Sequence, residues 1–158
     1  MRLMIAAIGS RPRAVFDDLA HIYFDRIAAY LPGRGKKSAV DTPVFPTEQS
    51  FWEAIERERA RTLPLLVLLD ERGKTMDSQA FAAWFGSERS ADRQLIVFAL
   101  GPADGWSRPS RERAGRLLSL GPMTLAHELA RVVLAEQLYR ALTILAGHPY
   151  HREGSRNA

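Results

Sequence analysis

The chain has 158 residues, 46% of them hydrophobic, which suits one domain with a sizeable core. Its 22 lysines and arginines outnumber its 18 acids, and the net charge of +4 fits an anionic partner such as nucleic acid without requiring one. There is no cysteine, so disulfides, thiolate catalysis and thiolate-bound zinc are excluded, and no apolar run approaches the roughly 20 residues of a membrane span. The opening apolar stretch, 1–8, is too short for a signal peptide, and a cytoplasmic protein is expected.

In chain order, apolar runs alternate with helical patterns. Residues 3–8 read as a short buried strand ending at Gly9-Ser10. Phe16, Leu19, Ala20, Tyr23, Ile27 and Tyr30 then recur at helical spacing until Pro32-Gly33 stops them. A basic turn, Arg34-Gly35-Lys36-Lys37, leads to a weak strand near 39–45, and 47–61 reads as a helix with Thr47 as its cap. Residues 65–70 form the strongest strand signal, five aliphatics closed by Asp70, as in a sheet buried on both faces. A helix at 78–85, a fully apolar strand at 94–100, a polar helix at 107–116 and a short strand at 117–120 follow. The longest helix spans 126–146. This alternation predicts a single α/β domain over 1–153 with a mainly parallel sheet flanked by helices, and 154–158 as a flexible tail.

In such sheets ligands bind outside the carboxyl ends of the strands. Here those ends are Gly9-Ser10, the 70–73 turn, the 101–105 turn and Gly121-Pro122-Met123-Thr124. Glycine in each of them suits a backbone that must approach a ligand closely. Neither a phosphate-cradling Walker loop nor a complete Gly-x-Gly-x-x-Gly is present, so a cofactor held by backbone and apolar walls fits better than one held by its phosphates. Beyond the last helix, His148-Pro149-Tyr150-His151-Arg152 concentrates two histidines, a tyrosine and an arginine in five residues, more chemistry than a solvated tail needs.

Five motifs in order carry a family resemblance: Leu69-Asp70-x-x-Gly73-Lys74, Leu100-Gly101-x-x-x-Gly105, Ser119-Leu120-x-x-Met123-Thr124-Leu125, the run 130–141, and the histidine-rich tail. Together they resemble the SPOUT-class methyltransferases that modify N3 of a pseudouridine in bacterial 23S ribosomal RNA. The resemblance implies a C-terminal trefoil knot that binds S-adenosylmethionine, and a homodimer whose active site is completed by the partner's tail. It places the cofactor on Leu69, Gly101, Leu120, Gly121, Pro122, Met123, Thr124 and Leu125. One position departs: Pro102 stands where the family usually has a second glycine, removing a backbone donor.

The resemblance also implies a proton problem. N3 of a uracil-type ring is protonated at neutral pH, so a base or a positive environment is needed, while an activated methyl group needs no metal. His148, Tyr150, His151 and Arg152 are the catalytic candidates: a histidine to accept the proton, an arginine to stabilise the anion, a tyrosine to stack on the base. Arg140 and Arg152 are candidates for holding RNA, although Glu136 four residues before Arg140 offers an ordinary helical ion pair. Arg34, Lys36, Lys37, Arg108, Arg111, Arg113 and Arg116 are a further basic set, interrupted by Glu112. A noncatalytic RNA- or ribosome-binding module and an enzyme of another nucleotide cofactor are the alternative readings.

Overall fold

The computed structural model describes residues 1–9, 13–33, 35 and 37–152, with the backbone alone at 151 and 152. Ser10 of the first strand-end turn, Arg34 and Lys36 of the basic turn, and the tail expected at 154–158 lie outside the described residues.

The elements follow in the order β1 (Arg2–Ile8), α1 (Ala14–Tyr30), β2 (Val40–Asp41), β3 (Val44–Phe45), α2 (Glu48–Arg59), β4 (Leu65–Thr75), α3 (Ser78–Ser90), β5 (Leu95–Leu100), α4 (Arg108–Ala114), β6 (Leu117–Ser119) and α5 (His127–Leu145). Every strand pair is parallel, in the order β2-β1-β5-β4-β6, with β3 also on β1. Side chains alternate across this sheet with period two, so each central strand feeds two cores. Leu3, Ile5, Ile96 and Phe98 pack against α1, α3 and α5, whereas Met4, Ala6, Leu95 and Val97 pack against Phe51, Trp52 and Ile55 of α2. A buried side chain of this kind stabilises by about 1.5–3 kcal/mol, and truncating the fully buried Phe98 to alanine is expected to cost about 3–5 kcal/mol.

Thr47 caps α2 as its sequence implies: its hydroxyl accepts from the Ser50 amide at 3.1 Å while the Ser50 hydroxyl accepts from the Thr47 amide at 3.2 Å. Two elements exceed their expected lengths. Helix α3 continues past Phe85 to Ser90, and just beyond Phe85 it packs on α5, where a Cβ at Gly86 would come within 2.7 Å of the Leu145 side chain. Strand β4 runs through the expected turn at 70–73, because β6 pairs with it twice: Leu69 lies opposite Leu118 and, after an irregularity, so does Lys74. Strand β4 thus closes around β6. Gly73 is the residue that permits this, since a Cβ there would lie 2.6 Å from the backbone of Leu117 and Leu118.

Candidate active site

The carboxyl ends of β4, β5 and β6 open onto one cleft of about 300 Å³. Leu69, Gly101, Leu120 and Gly121 line it, as do Met123, Thr124 and Leu125. Pro122 is not among the lining residues, and Met123 is 83% exposed, a rim residue rather than a wall. Gly9, at the end of β1, does not reach it either.

Local sequence explains the shape. The Trp106 indole lies across Gly101, where a Cβ would come within 2.8 Å of Nε1, and Nε1–H donates to the Leu69 carbonyl at 3.1 Å. Glycine at 101 therefore lets one indole tie the loop after β5 to the end of β4. Pro102 begins a tight turn: its carbonyl accepts from the Gly105 amide at 2.8 Å, and Gly105 takes φ of +87°. The lost donor at 102 is thus accompanied by an engaged carbonyl. In the β6 loop the Ser119 hydroxyl accepts from the Gly121 amide at 3.1 Å and donates to the Gly121 carbonyl at 3.0 Å, while Gly121 sits at φ of +132° with nothing within 4 Å of where a Cβ would be. Glycine is needed there for conformation, and the space it leaves is open.

The loop after Trp106 is pinned by a carboxylate that its sequence position does not announce. Glu48, at the start of α2, accepts from the Ser107 amide at 2.8 Å, the Ser107 hydroxyl at 2.7 Å and the Ser110 hydroxyl at 2.6 Å. Burial alone would raise the Glu48 pKa, but the bonds from Ser110 and Ser107, with the Arg111 charge, hold it below its ordinary value. The Trp52 indole adds a bond to the Ser110 hydroxyl at 2.7 Å. Trp106 and His127 line the cleft from outside the motifs, and Glu71, Arg72 and Asp104 line it from motif positions left unspecified. Trp106 carried one usable signal, an aromatic just after a glycine turn.

The tail residues stand at the opposite end of α5. That helix has 19 residues, roughly 28 Å at the standard rise, with His127 and Ala130 on the cleft at its head and the tail folding back at its foot. Gly147 turns the chain at φ of +71°, the His148 amide donates to the Thr143 carbonyl at 2.9 Å, and the His148 Nδ1 accepts from the Tyr150 amide at 3.2 Å. His148 is exposed and helps shape the turn. Pro149–Arg152 then form a 3-10 turn, which includes the backbone of His151 and Arg152.

Tyr150 docks onto α5 through side chains. Its ring centroid is 4.7 Å from that of Tyr139, the Arg140 guanidinium lies 5.1 Å over its face, and its hydroxyl donates to Glu136 at 3.2 Å. Arg140 also donates twice to Glu136, at 3.0 and 2.6 Å, so the helical ion pair and the hold on the tail occur together. Burial, then the neighbouring Tyr23 hydroxyl and Glu136 carboxylate, push the Tyr150 pKa well up, which keeps it a neutral phenol. Three of the other basic set are paired with acids, Arg108 with Glu112, Arg113 with Glu56 and Arg116 with Glu88, and Arg111 donates to the Trp106 carbonyl at 2.5 Å.

A parallel sheet whose β4 closes around β6, with a cofactor-sized cleft at that junction, defines a class. The family model described as "Predicted SPOUT methyltransferase" matches residues 1–151, and the class is that of the knotted, S-adenosylmethionine-dependent SPOUT methyltransferases. The chain is 43% identical over 159 residues to ribosomal RNA large subunit methyltransferase H of Rhizobium leguminosarum bv. trifolii, covering 96% of this chain and 99% of that protein. It is 41% identical over 151 residues to the protein of the same name from Koribacter versatilis, covering 96% and 98%. The chain therefore belongs to the ribosomal RNA large subunit methyltransferase H family. Among solved structures, the SpoU methyltransferase AviRb of Streptomyces viridochromogenes in complex with AdoMet shares the fold at a TM-score of 0.51 and 15% identity, over 93% of this chain and 59% of that one. A probable methylase family protein of Haemophilus influenzae shares it at a TM-score of 0.54 and 13% identity, over 94% of this chain and 69% of that one.

Proposed function

We propose that this enzyme methylates N3 of a pseudouridine in bacterial 23S ribosomal RNA as a homodimer, each cleft being completed by the partner's C-terminal tail. The observation that carries the reading is where the tail docks: His127 and Ala130 at the head of α5 line the cleft, while Tyr150 packs on Glu136, Tyr139 and Arg140 in the second half of that helix. Among the described residues, neither His148 nor Tyr150 lines the cleft of its own chain. A two-fold axis that lays α5 antiparallel to its copy would bring each tail to the other chain's cleft.

The surface suits that arrangement. Val15, Leu19 and Ile22 repeat along α1 and are 69%, 41% and 48% exposed, and Leu129 on α5 is 38% exposed. Helices α1 and α5 are joined at their heads by the buried Arg131, which pairs with Asp17 at 2.8 Å. Their outward apolar residues form one face that a second copy would cover.

The cleft suits the cofactor. Its volume is at the small end of ligand pockets, its walls combine aliphatic side chains with the polar Asp70, Arg72, Asp104 and Thr124, and open space at Gly121 admits a group close to the backbone. Leu69, Leu120 and Leu125 would flank the adenosine, with loop backbone groups for its polar edges. The bound cofactor supplies a methyl group already activated on a sulfonium. The protein's work is then to position N3 and remove its proton. His151 is the residue assigned to accept that proton, with His148 committed to the turn, and Arg152 the cation that stabilises the anion. Tyr150, kept neutral, serves as a stacking surface and not as a base, and Arg140 holds the tail beside the RNA. A ribosomal substrate places the enzyme in the cytoplasm. No described helix is long and apolar enough to cross a membrane.

Subunit mixing tests the composite site. A variant lacking residues 148–158 and a cofactor-loop variant are each inactive alone; after subunit exchange, heterodimers should recover methylation from the one intact composite site. Heterodimers that form without recovering activity would place the site within one chain. Calorimetry with S-adenosylmethionine separates the enzyme from a noncatalytic RNA-binding module, which would bind no cofactor.

A further inference from the structure

The cleft is a poor host for a polyanion. Asp70, Glu71 and Asp104 line it against a single arginine, Arg72, which itself pairs with Asp70, and Arg140 is committed to Glu136 and Tyr150. A ribosomal RNA substrate needs cations elsewhere on the molecule. They collect at the opposite end, where the amino ends of the strands meet the carboxyl ends of α2, α3 and α4. Arg2 and residues 56–61, 88–93 and 113–116 hold eight arginines and four acids, an excess as large as the +4 of the whole chain.

Ion pairs join these segments into one ribbon. Arg2 meets Glu58 at 2.8 Å, Arg59 and Arg113 share Glu56, and Arg93 and Arg116 share Glu88 at 3.0 and 3.2 Å. Arg113 thus reaches α2, and Arg116, three residues on, reaches α3. Two arginines on one acid leave positive charge over, and the side chains of Glu58 and Glu88 are only 19% and 12% exposed, against 31–44% for the five arginines. Arg113 and Arg116 also stack on Trp52 and Trp84, at 4.2 and 5.3 Å, which holds their guanidiniums in place. Arg57, Arg61 and Arg89 pair with no acid among the described residues. A helix dipole asks for a cation at each carboxyl end, but not for this surplus.

We infer that this arginine ribbon is a docking surface for the phosphate backbone of ribosomal RNA, separate from the cleft. The inference rests on a ribosomal RNA substrate, though not on the pseudouridine or the shared site. Guanidinium forks match phosphate oxygens, and exposed ion pairs hold too weakly to keep them from turning to a phosphate. The location suits the proposed dimer. Helices α2 and α4 pack on the face of the sheet opposite α1 and α5, so a second copy on α1 and α5 leaves their arginines open. Arg89 shares a groove with Met1 and with Leu145 at the foot of α5, so the ribbon starts beside the tail.

Arg57, Arg61 and Arg89 are the residues to change, since altering them breaks none of the ion pairs that join the ribbon. The triple variant Arg57→Gln, Arg61→Gln, Arg89→Gln, of verified melting temperature, is compared with the parent for binding to purified bacterial ribosomes across a salt series. At about 0.1 M salt its affinity should fall by about tenfold, and the slope of log affinity against log salt should shrink by about 2, roughly 0.7 for each lost phosphate contact. The methylation rate at saturating ribosomes and the affinity for S-adenosylmethionine should match the parent, so the loss appears in KM alone. Parental affinity and slope in the variant would overturn the inference. So would weaker binding at an unchanged slope, which would indicate contact with ribosomal protein and not with phosphate. Should the variant fold poorly, phenylglyoxal labelling of the unaltered protein, read by mass spectrometry, answers the same question. Ribosomes should protect these three arginines, and equal labelling with and without ribosomes would sink the ribbon. A parent that methylates no ribosomal RNA would overturn the proposed function as well, so the two failures are distinct.

Discussion

At the head of α5 the cleft is built around backbone: Gly101 admits an indole, Gly121 takes a positive φ, and the loop amides and carbonyls bond to one another, to the Trp106 indole and to the Ser119 hydroxyl. At the foot, Tyr150 is held by the Tyr139 ring, the Arg140 guanidinium and the Glu136 carboxylate, all of them side chains. A backbone-built site depends on which positions lack a Cβ and tolerates varied walls. A side-chain-built one depends on the identity of each partner. Substitutions should therefore act differently at the two ends: at the head through conformation and cofactor affinity, at the foot through turnover.

The largest expected effect lies at the foot. Replacing His151 and Arg152 together with alanine should lower methyl transfer to ribosomal RNA by on the order of a hundredfold or more, if they remove the proton and stabilise the anion. S-adenosylmethionine affinity should stay within about 1 kcal/mol of the parent, because the two residues lie far along the sequence from the cofactor loop and distant sites that share no partner do not couple. Single-turnover methylation with ribosomes in excess separates this from a tail that merely attracts RNA. In that case only RNA affinity drops, low salt restores it, and the saturated rate is unchanged.

At the head, Gly121→Val should act the opposite way. The residue sits at φ of +132°, where a branched side chain is strained by about 1–3 kcal/mol, and its Cβ would enter open space beside the cleft. Cofactor affinity should fall by about tenfold or more in calorimetry. A folded variant with parental affinity would remove the β6 loop from the cofactor site and leave the two ends of α5 without the contrast drawn above.

How legible these regions were in the sequence also differs. Buried strands 65–69 and 95–100 declare themselves through uninterrupted apolar residues, and the strand-end rule then indicates where a ligand sits. What that rule does not supply is the course of β4 beyond Asp70. Residues 70–73 look like a turn because they are polar and end in glycine, yet pairing with β6, more than 40 residues later, draws them into a strand. Local propensity gave way to a long-range backbone pairing that no local pattern encodes. The knot itself came from family resemblance, since chain physics argues against threading. Glu48 was invisible for a related reason: a carboxylate in the first turn of a helix looks like a dipole partner, and nothing in its neighbourhood points to serines 59 and 62 residues further on. At the foot, by contrast, spacing alone put Arg140 one turn from Glu136, and that pair is present.

Glu48 yields the smallest expected effect and the sharpest check on the head of α5. Its three accepted hydrogen bonds tie the start of α2 to the loop that carries Trp106, so Glu48→Gln, which turns one acceptor into a donor facing two hydroxyls, should cost about 1 kcal/mol at neutral pH. The pKa of this carboxyl is lowered in the folded chain from its ordinary 4.5, so its ionised form is the one that folding favours. Its contribution is then fully present above about pH 4.5 and is lost as the pH falls through the lower folded value. Denaturant unfolding of parent and variant across an acid series should show two stability curves that run parallel near neutrality and converge below pH 4.5. A gap that persists undiminished into strong acid would mean that the bonds at Glu48 do not depend on its charge, and that the loop under Trp106 is held by packing alone.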